Sequence, residues 1–196
     1  MAFVAFLDAC VLVPPTLRDV ILTIAEAGLC QIRWSPDALD EVERNVAKNA
    51  RNSTRSSDIA ELGARYLGET MERAFPDAMF EQERYASLVP SMTNHEKDRH
   101  VLAAAIVSRA DVLVTANRRD FHDQSPTYHI DVQHPDDFLQ YQFELSPQSF
   151  LYSLEQLSVD RHYPMNSVPA ILATLQKVTP QFSQMALQRW TEKSSV

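Results

Sequence analysis

Two short apolar runs, residues 3–7 and 112–115, constrain this chain more than any other feature. Both are apolar at consecutive positions rather than at alternate ones. That is the pattern of a strand covered on both faces, as in a parallel sheet with helices packed over it. A short polar side chain follows each run, Asp8 after the first and Asn117 after the second. Asp98 opens the small-residue segment 98–109, and Glu41 lies on the helix that begins after Ser35-Pro36. Open parallel sheets gather their ligands at the carboxyl ends of the strands, so these four positions are expected to converge. Carboxylates that cannot neutralise one another hold a hard cation such as Mg²⁺ or Mn²⁺. The chain therefore reads as a metal-dependent enzyme.

The stretches between the runs carry helix punctuation. Pro14 and Pro15 open a helix to about Ala27, with Leu17, Val20, Ile21 and Ile24 on one face and Gly28 as its stop. Residues 30–34 form a second short strand. Ser35 then serves as N-cap and Pro36 as first helical residue, and Leu39, Val42 and Val46 point inward. A polar stretch, 49–57, precedes a further helix over 57–74. Residues 86–89 read as a short strand and 128–132 as an edge strand. Beyond residue 145 the chain becomes a series of short amphipathic helices punctuated by Pro147, Pro164, Pro169 and Pro180. Their apolar faces need a cover, either the main domain or another chain. The expected division is an α/β domain over 1–144 and a helical extension over 145–196.

Composition removes several classes of function. Only 3 glycines occur in 196 residues, too few for a phosphate-cradling loop, which disfavours P-loop and dinucleotide-binding folds. The net charge of −8 makes a poor general binder of nucleic acid, unless part of the acidity is metal ligands and the basic residues cluster. Cys10 and Cys30 form no motif and read as buried free thiols. The apolar N-terminus is broken by Asp8, so it is a strand rather than a signal peptide, and no segment suits a membrane. A cytoplasmic protein is expected.

Each candidate residue also has a structural explanation. Asp8 could be a turn residue, Glu41 a solvated helix residue, Asp98 a helix cap and Asn117 a turn. Their joint placement raises the functional reading. Asp120, three residues beyond Asn117, would share its face. The histidines at 95, 100, 122, 129 and 134 lack zinc-ligand spacing, and no serine sits in a nucleophile elbow. A phosphatase with an aspartyl nucleophile would want Asp at position 10, where Cys10 stands. Arg44, Lys48, Arg51 and Arg55 recur at helical spacing and could track a phosphate backbone. Asn52-Ser53 is expected to end the helix first, which favours a solvated surface for them. Arg118 and Arg119, beside Asn117, are better placed to meet a phosphate.

Four segments carry a resemblance. FLDACVLVPPTLRD (6–19) resembles the opening motif of PIN-domain proteins, and WSPDALDEV (34–42) their second motif. KDRHVLAAA (97–105) and VTANRRDF (114–121) resemble the third and fourth, in the same order. The chain is most similar to VapC-like toxins of bacterial toxin–antitoxin pairs, including those with a helical C-terminal extension. The resemblance implies a three-layer α/β/α fold with a parallel sheet of about four to five strands. It implies a Mg²⁺- or Mn²⁺-dependent endoribonuclease whose acidic quartet falls on Asp8, Glu41, Asp98 and Asn117. Relatives commonly carry Asp at the last of these, and Asp120 is a substitute carboxylate. The implied reaction is phosphodiester hydrolysis by an activated water, with a second metal, if bound, about 3.5–4 Å from the first. Thr115 would support the shell, and Arg118, Arg119 and Arg44 would meet substrate. The implied partners are an RNA such as tRNA or rRNA, a VapB-like antitoxin that sets a basic residue among the carboxylates, and a second copy of the chain. Two alternatives stay open, a catalytically weak PIN-fold binding module and a structure-specific DNA nuclease.

Overall fold

The computed structural model describes residues 3–53, 56–121, 128, 130–160 and 166–194. The described chain divides into two compact units. Residues 1–13 and 32–132 make up the first, and residues 14–31 and 133–196 the second.

The first unit is built on a four-stranded parallel sheet in the order β2-β1-β3-β4. The strands are β1 (Val4–Leu7), β2 (Gln31–Arg33), β3 (Val112–Val114) and β4 (Asp131–Gln133). The two apolar runs of the sequence are the neighbouring central strands. They pair in parallel with Ala5 opposite Val112, Phe6 opposite Leu113 and Leu7 opposite Val114. All six side chains are buried, as continuous apolarity requires. A four-residue helix, α1 (Ala9–Leu12), leaves β1 directly. Helix α5 (Arg99–Val107) packs into the cluster around Phe6 and Leu113 with Ala103, Ala104 and Ala105, whose small side chains allow close approach. Burying Phe6 and Leu113 fully contributes about 1.5–3 kcal/mol each.

Helix α3 (Pro36–Asn52) starts as the sequence predicts, with Ser35 Oγ accepting the Ala38 amide at 3.2 Å. It ends at Asn52 with Ser53 as C-cap, as expected, so Arg44, Lys48 and Arg51 lie on one helix. Arg55 is outside the described residues. The helix is held by packing against α4 (Ser57–Ala74). At that crossing Glu43 lies over Gly68, where a Cβ would collide with Glu43 Oε1. Burial raises the Glu43 carboxyl above its ordinary range, as do Asp40 and, less strongly, Glu72 and Glu69, while Arg65 opposes the shift.

The strand expected over 86–89 does not form. Short 3₁₀ turns, Gln82–Arg84 and Val89–Ser91, occupy that region. Trp34 pairs instead with the chain at Met79, donating to Ala78 O and accepting from Phe80 N. The edge strand lies slightly later than expected, at Asp131–Gln133, and His129 is outside the described residues.

The second unit gathers α2 (Pro15–Glu26) with α6 (Pro135–Leu145), α7 (Pro147–Asp160), α8 (Val168–Leu175) and α9 (Pro180–Ser194). Gly28 ends α2 at φ 75°, and the amides of Gly28 and Leu29 return to Ala25 O and Ile24 O. The cover that the C-terminal helices need is partly α2 itself, which packs on α7 and α8. Phe143, Phe150 and Phe182 form an aromatic cluster with ring centroids 5.2–6.1 Å apart. No described helix is long and apolar enough to cross a membrane.

Candidate active site

Asp8 follows β1 and is 5% exposed. Its backbone amide donates to Val114 O, which ties the ends of β1 and β3 together. A buried carboxylate needs donors, and Asp8 has two. Thr115 Oγ1 donates to Oδ2 at 2.6 Å, and Cys10 Sγ donates to the same oxygen at 3.0 Å. Both bonds end on one oxygen, which leaves Oδ1 as an acceptor for another group. Thr115 Oγ1 accepts the Asn117 amide at 3.0 Å, and Cys10 Sγ accepts the Ala116 amide.

The thiol is half-buried rather than buried, and no disulfide forms. Burial first, and then the Asp8 charge, push its pKa up to about 12. Cys10 is therefore a neutral donor to Asp8 at ordinary pH. Sequence reading missed its contact with Asp8, although its place two residues after Asp8 was the available signal.

Asp98 ends a 3₁₀ turn, Glu96–Asp98, and stands at the N-cap position of α5. Its side chain makes no capping bond, contrary to the expected helix cap. Its Oδ2 instead lies 3.5 Å from His95 Nδ1. Burial is the largest influence on the Asp98 carboxyl and raises its pKa. Asp8, Asp120 and Glu41 add to the rise, and His95 opposes it. Three other carboxylates thus act on Asp98. Glu41, on α3, and Asp120, in the turn Arg118–Phe121, are half-buried. His95 N donates to Asp120 O at 3.4 Å, and Asp120 N donates to Asn117 O at 3.0 Å.

The remaining sequence candidates are peripheral. Asn117, Arg118, Arg119 and Arg44 are exposed, whereas Thr115 is fully buried and reaches the site through Asp8. Among the described residues no three His, Cys, Asp or Glu side chains are grouped as a ready metal cage. The donors present are nevertheless all-oxygen and mutually repulsive. Mg²⁺ is commonly held by one or two carboxylates with waters and substrate phosphate, not by a dedicated cage. Carboxylates of this kind suit such an ion.

Thr115 makes a bond that can be tested without reference to activity. Thr115→Val keeps the shape and removes the donor to Asp8 and the acceptor for the Asn117 amide. Chemical denaturation is expected to show a loss of about 1.5–3 kcal/mol, the range for a hydrogen bond to a charged group. Thr115→Ser should restore most of it, and a Thr115→Val chain of unchanged stability would contradict the assigned bonds.

A parallel α/β sheet with buried and half-buried carboxylates beyond the carboxyl ends of its central strands defines a class of acidic-site α/β proteins. Residues 4–119 match the family described as PIN domain, and residues 135–188 match the VapC50 C-terminal domain. A protein of Mycobacterium tuberculosis named "Putative ribonuclease VapC50" is 38% identical over 169 residues, covering 84% of this chain and 85% of that one. No solved structure matches the chain. The chain belongs to the PIN-domain family, in its VapC-like branch with a C-terminal extension.

Proposed function

We propose that this protein is a metal-dependent endoribonuclease, the toxin of a toxin–antitoxin pair. The observation that carries the reading is the half-buried Asp98, whose ionisation is opposed first by burial and then by Asp8, Asp120 and Glu41. Such a cluster has the electrostatics of a cation site, and the relative bearing a ribonuclease name supports RNA as the substrate. Asp8 and Asp98 hold Mg²⁺ or Mn²⁺, Glu41 orients the attacking water or joins the ligands, and Asp120 supplies the carboxylate that Asn117 lacks. Held there, such an ion would offset phosphate charge and lower the pKa of the attacking water. Thr115 and Cys10 fix the Asp8 rotamer, and Arg118 and Arg119 meet the substrate phosphates. The partner that restrains the enzyme is a VapB-like antitoxin.

The test is cleavage of total RNA with Mn²⁺ and with a chelator, with the ends mapped. Metal-dependent ends are expected, and equal cleavage with the chelator would refute the reading. Metal binding has its own readout. A raised Asp98 pKa means that the folded chain holds this proton more tightly than the unfolded one. Without metal, stability is lost as pH rises through the ordinary carboxylate range towards the raised value. A cation binds the ionised form, so Mn²⁺ should raise the thermal midpoint most at alkaline pH. That effect should fade as pH falls through the raised pKa, and a midpoint shift independent of pH would count against Asp98 as a ligand. The exposed Asn117 favours one other reading, a PIN-fold binding module, for which calorimetry would show no Mn²⁺ binding at millimolar metal.

A further inference from the structure

We propose that the groove between α3 and α4 carries the phosphate backbone of a single-stranded RNA toward the carboxylate cluster, gripped by Arg44, Lys48 and Lys97. The inference deepens the nuclease reading and rests on it. The groove has a volume of about 760 Å³ and is lined along α3 from Glu41 to Arg51. Lys97, directly before Asp98 in the chain, lines the groove together with Glu41, so the groove adjoins the proposed site of chemistry. From Glu41 to Arg51 the helix advances about 15 Å, and Arg44, Lys48 and Arg51 follow one another about a turn apart.

The charges along this wall are not equivalent. Arg51 is paired with Glu61 at 3.1 Å, and Arg65 lies near enough to Glu43 to oppose the rise of its pKa. Arg44, Lys48 and Lys97 are exposed and make no ion pair among the described residues. With Arg51 and Arg65 they give the groove five basic residues against Glu41, Glu43 and Glu61, in a chain of net charge −8. Phosphates flanking a scissile bond would otherwise be repelled by the carboxylates, and cations at helical spacing beside Glu41 counter that repulsion. An acidic protein segment could meet the same charges. The continuity of the groove with Glu41 favours RNA, because an acidic peptide gains nothing from approaching carboxylates.

The probe is a labelled uridine oligonucleotide of about twelve residues, a length within the range that a single-strand groove covers. Binding to the full chain is measured by anisotropy in chelator across a series of salt concentrations. Each phosphate neutralised on a single strand contributes about 0.7 to the slope of log affinity against log salt. Arg44→Gln with Lys48→Gln should therefore flatten the slope by about 1.4 and weaken binding. Lys97→Gln should remove about 0.7 more, and Lys48→Arg should behave as the unchanged chain. Slopes that do not change in these variants overturn the proposal, as does a groove that prefers a polyglutamate peptide to the RNA. Cleavage with Mn²⁺ is read separately. Cleavage with unaltered slopes removes the groove assignment and leaves the nuclease. Flattened slopes without cleavage by the unchanged chain remove the nuclease and leave the RNA groove.

Discussion

Asp8→Asn is expected to lower metal-dependent RNA cleavage by more than about 100-fold while leaving the chain folded. Changes to groups that merely support a metal ligand already cost about 10–100-fold, and Asp8 is proposed as a ligand itself. The local bonding makes the amide worse than a simple loss of charge. Thr115 Oγ1 and Cys10 Sγ both donate to Oδ2. An asparagine must turn its carbonyl oxygen toward those two donors, which aims its NH₂ group outward at the place the cation would take. A donor there repels the cation. The backbone bond from residue 8 to Val114 O is untouched, so the sheet should survive. Asp98→Asn should abolish cleavage as well, but with the opposite effect on stability. Removing a carboxylate that burial and three neighbours disfavour should raise the metal-free thermal midpoint above the carboxylate range of pH. Undiminished cleavage by both variants in Mn²⁺ buffer would sink the site assignment.

The parts of this site legible from sequence are those set by local rules. Asp8 could be placed because a continuous apolar run has one meaning in a covered parallel sheet, and its end fixes where a ligand edge lies. The start of α3 was legible because Ser35 and Pro36 perform separate, local tasks. The end of α3 was legible too, because Asn52-Ser53 is a local stop and the helix ends at Asn52 with Ser53 as its C-cap; its long packing on α4 was not. What was not legible depends on partners distant in sequence or on local contacts that residue pattern alone does not specify. Residues 86–89 have strand-like composition, but Trp34 takes its bridge at Met79, and the later segment turns. Asp98 has the position of a cap without its bond because the preceding 3₁₀ turn brings His95 beside its carboxylate. Helix α2 clusters with helices that begin more than a hundred residues later, which no local pattern announces. The contact of Cys10 with Asp8 belongs with these, since a thiol beside an apolar run more often means core.

The largest expected effect on stability belongs to Asp136, which no functional pattern singles out. Helix α9 begins with Pro180, and the amides of Gln181 and Phe182 have no partner within the helix. The residue that would ordinarily cap them is Thr179, but its hydroxyl donates to Leu175 O at 3.2 Å. Asp136, in the first turn of α6, takes its place. Oδ2 accepts the Gln181 amide at 3.1 Å, and Oδ1 accepts the Phe182 amide at 2.8 Å. The carboxylate also lies at the positive end of the α9 dipole. It is 5% exposed, so water cannot readily replace it. Asp136→Ala strands two amides, one of them on the fully buried Phe182, whose ring packs on Phe143 and Phe150. A loss of about 2–4 kcal/mol is expected, given about 1.5–3 kcal/mol for a single hydrogen bond to a charged group. Asp136→Asn keeps one acceptor and should lose roughly half as much. Urea denaturation followed by far-ultraviolet circular dichroism reads both variants. An Asp136→Ala chain as stable as the parent would mean that α9 does not depend on this carboxylate.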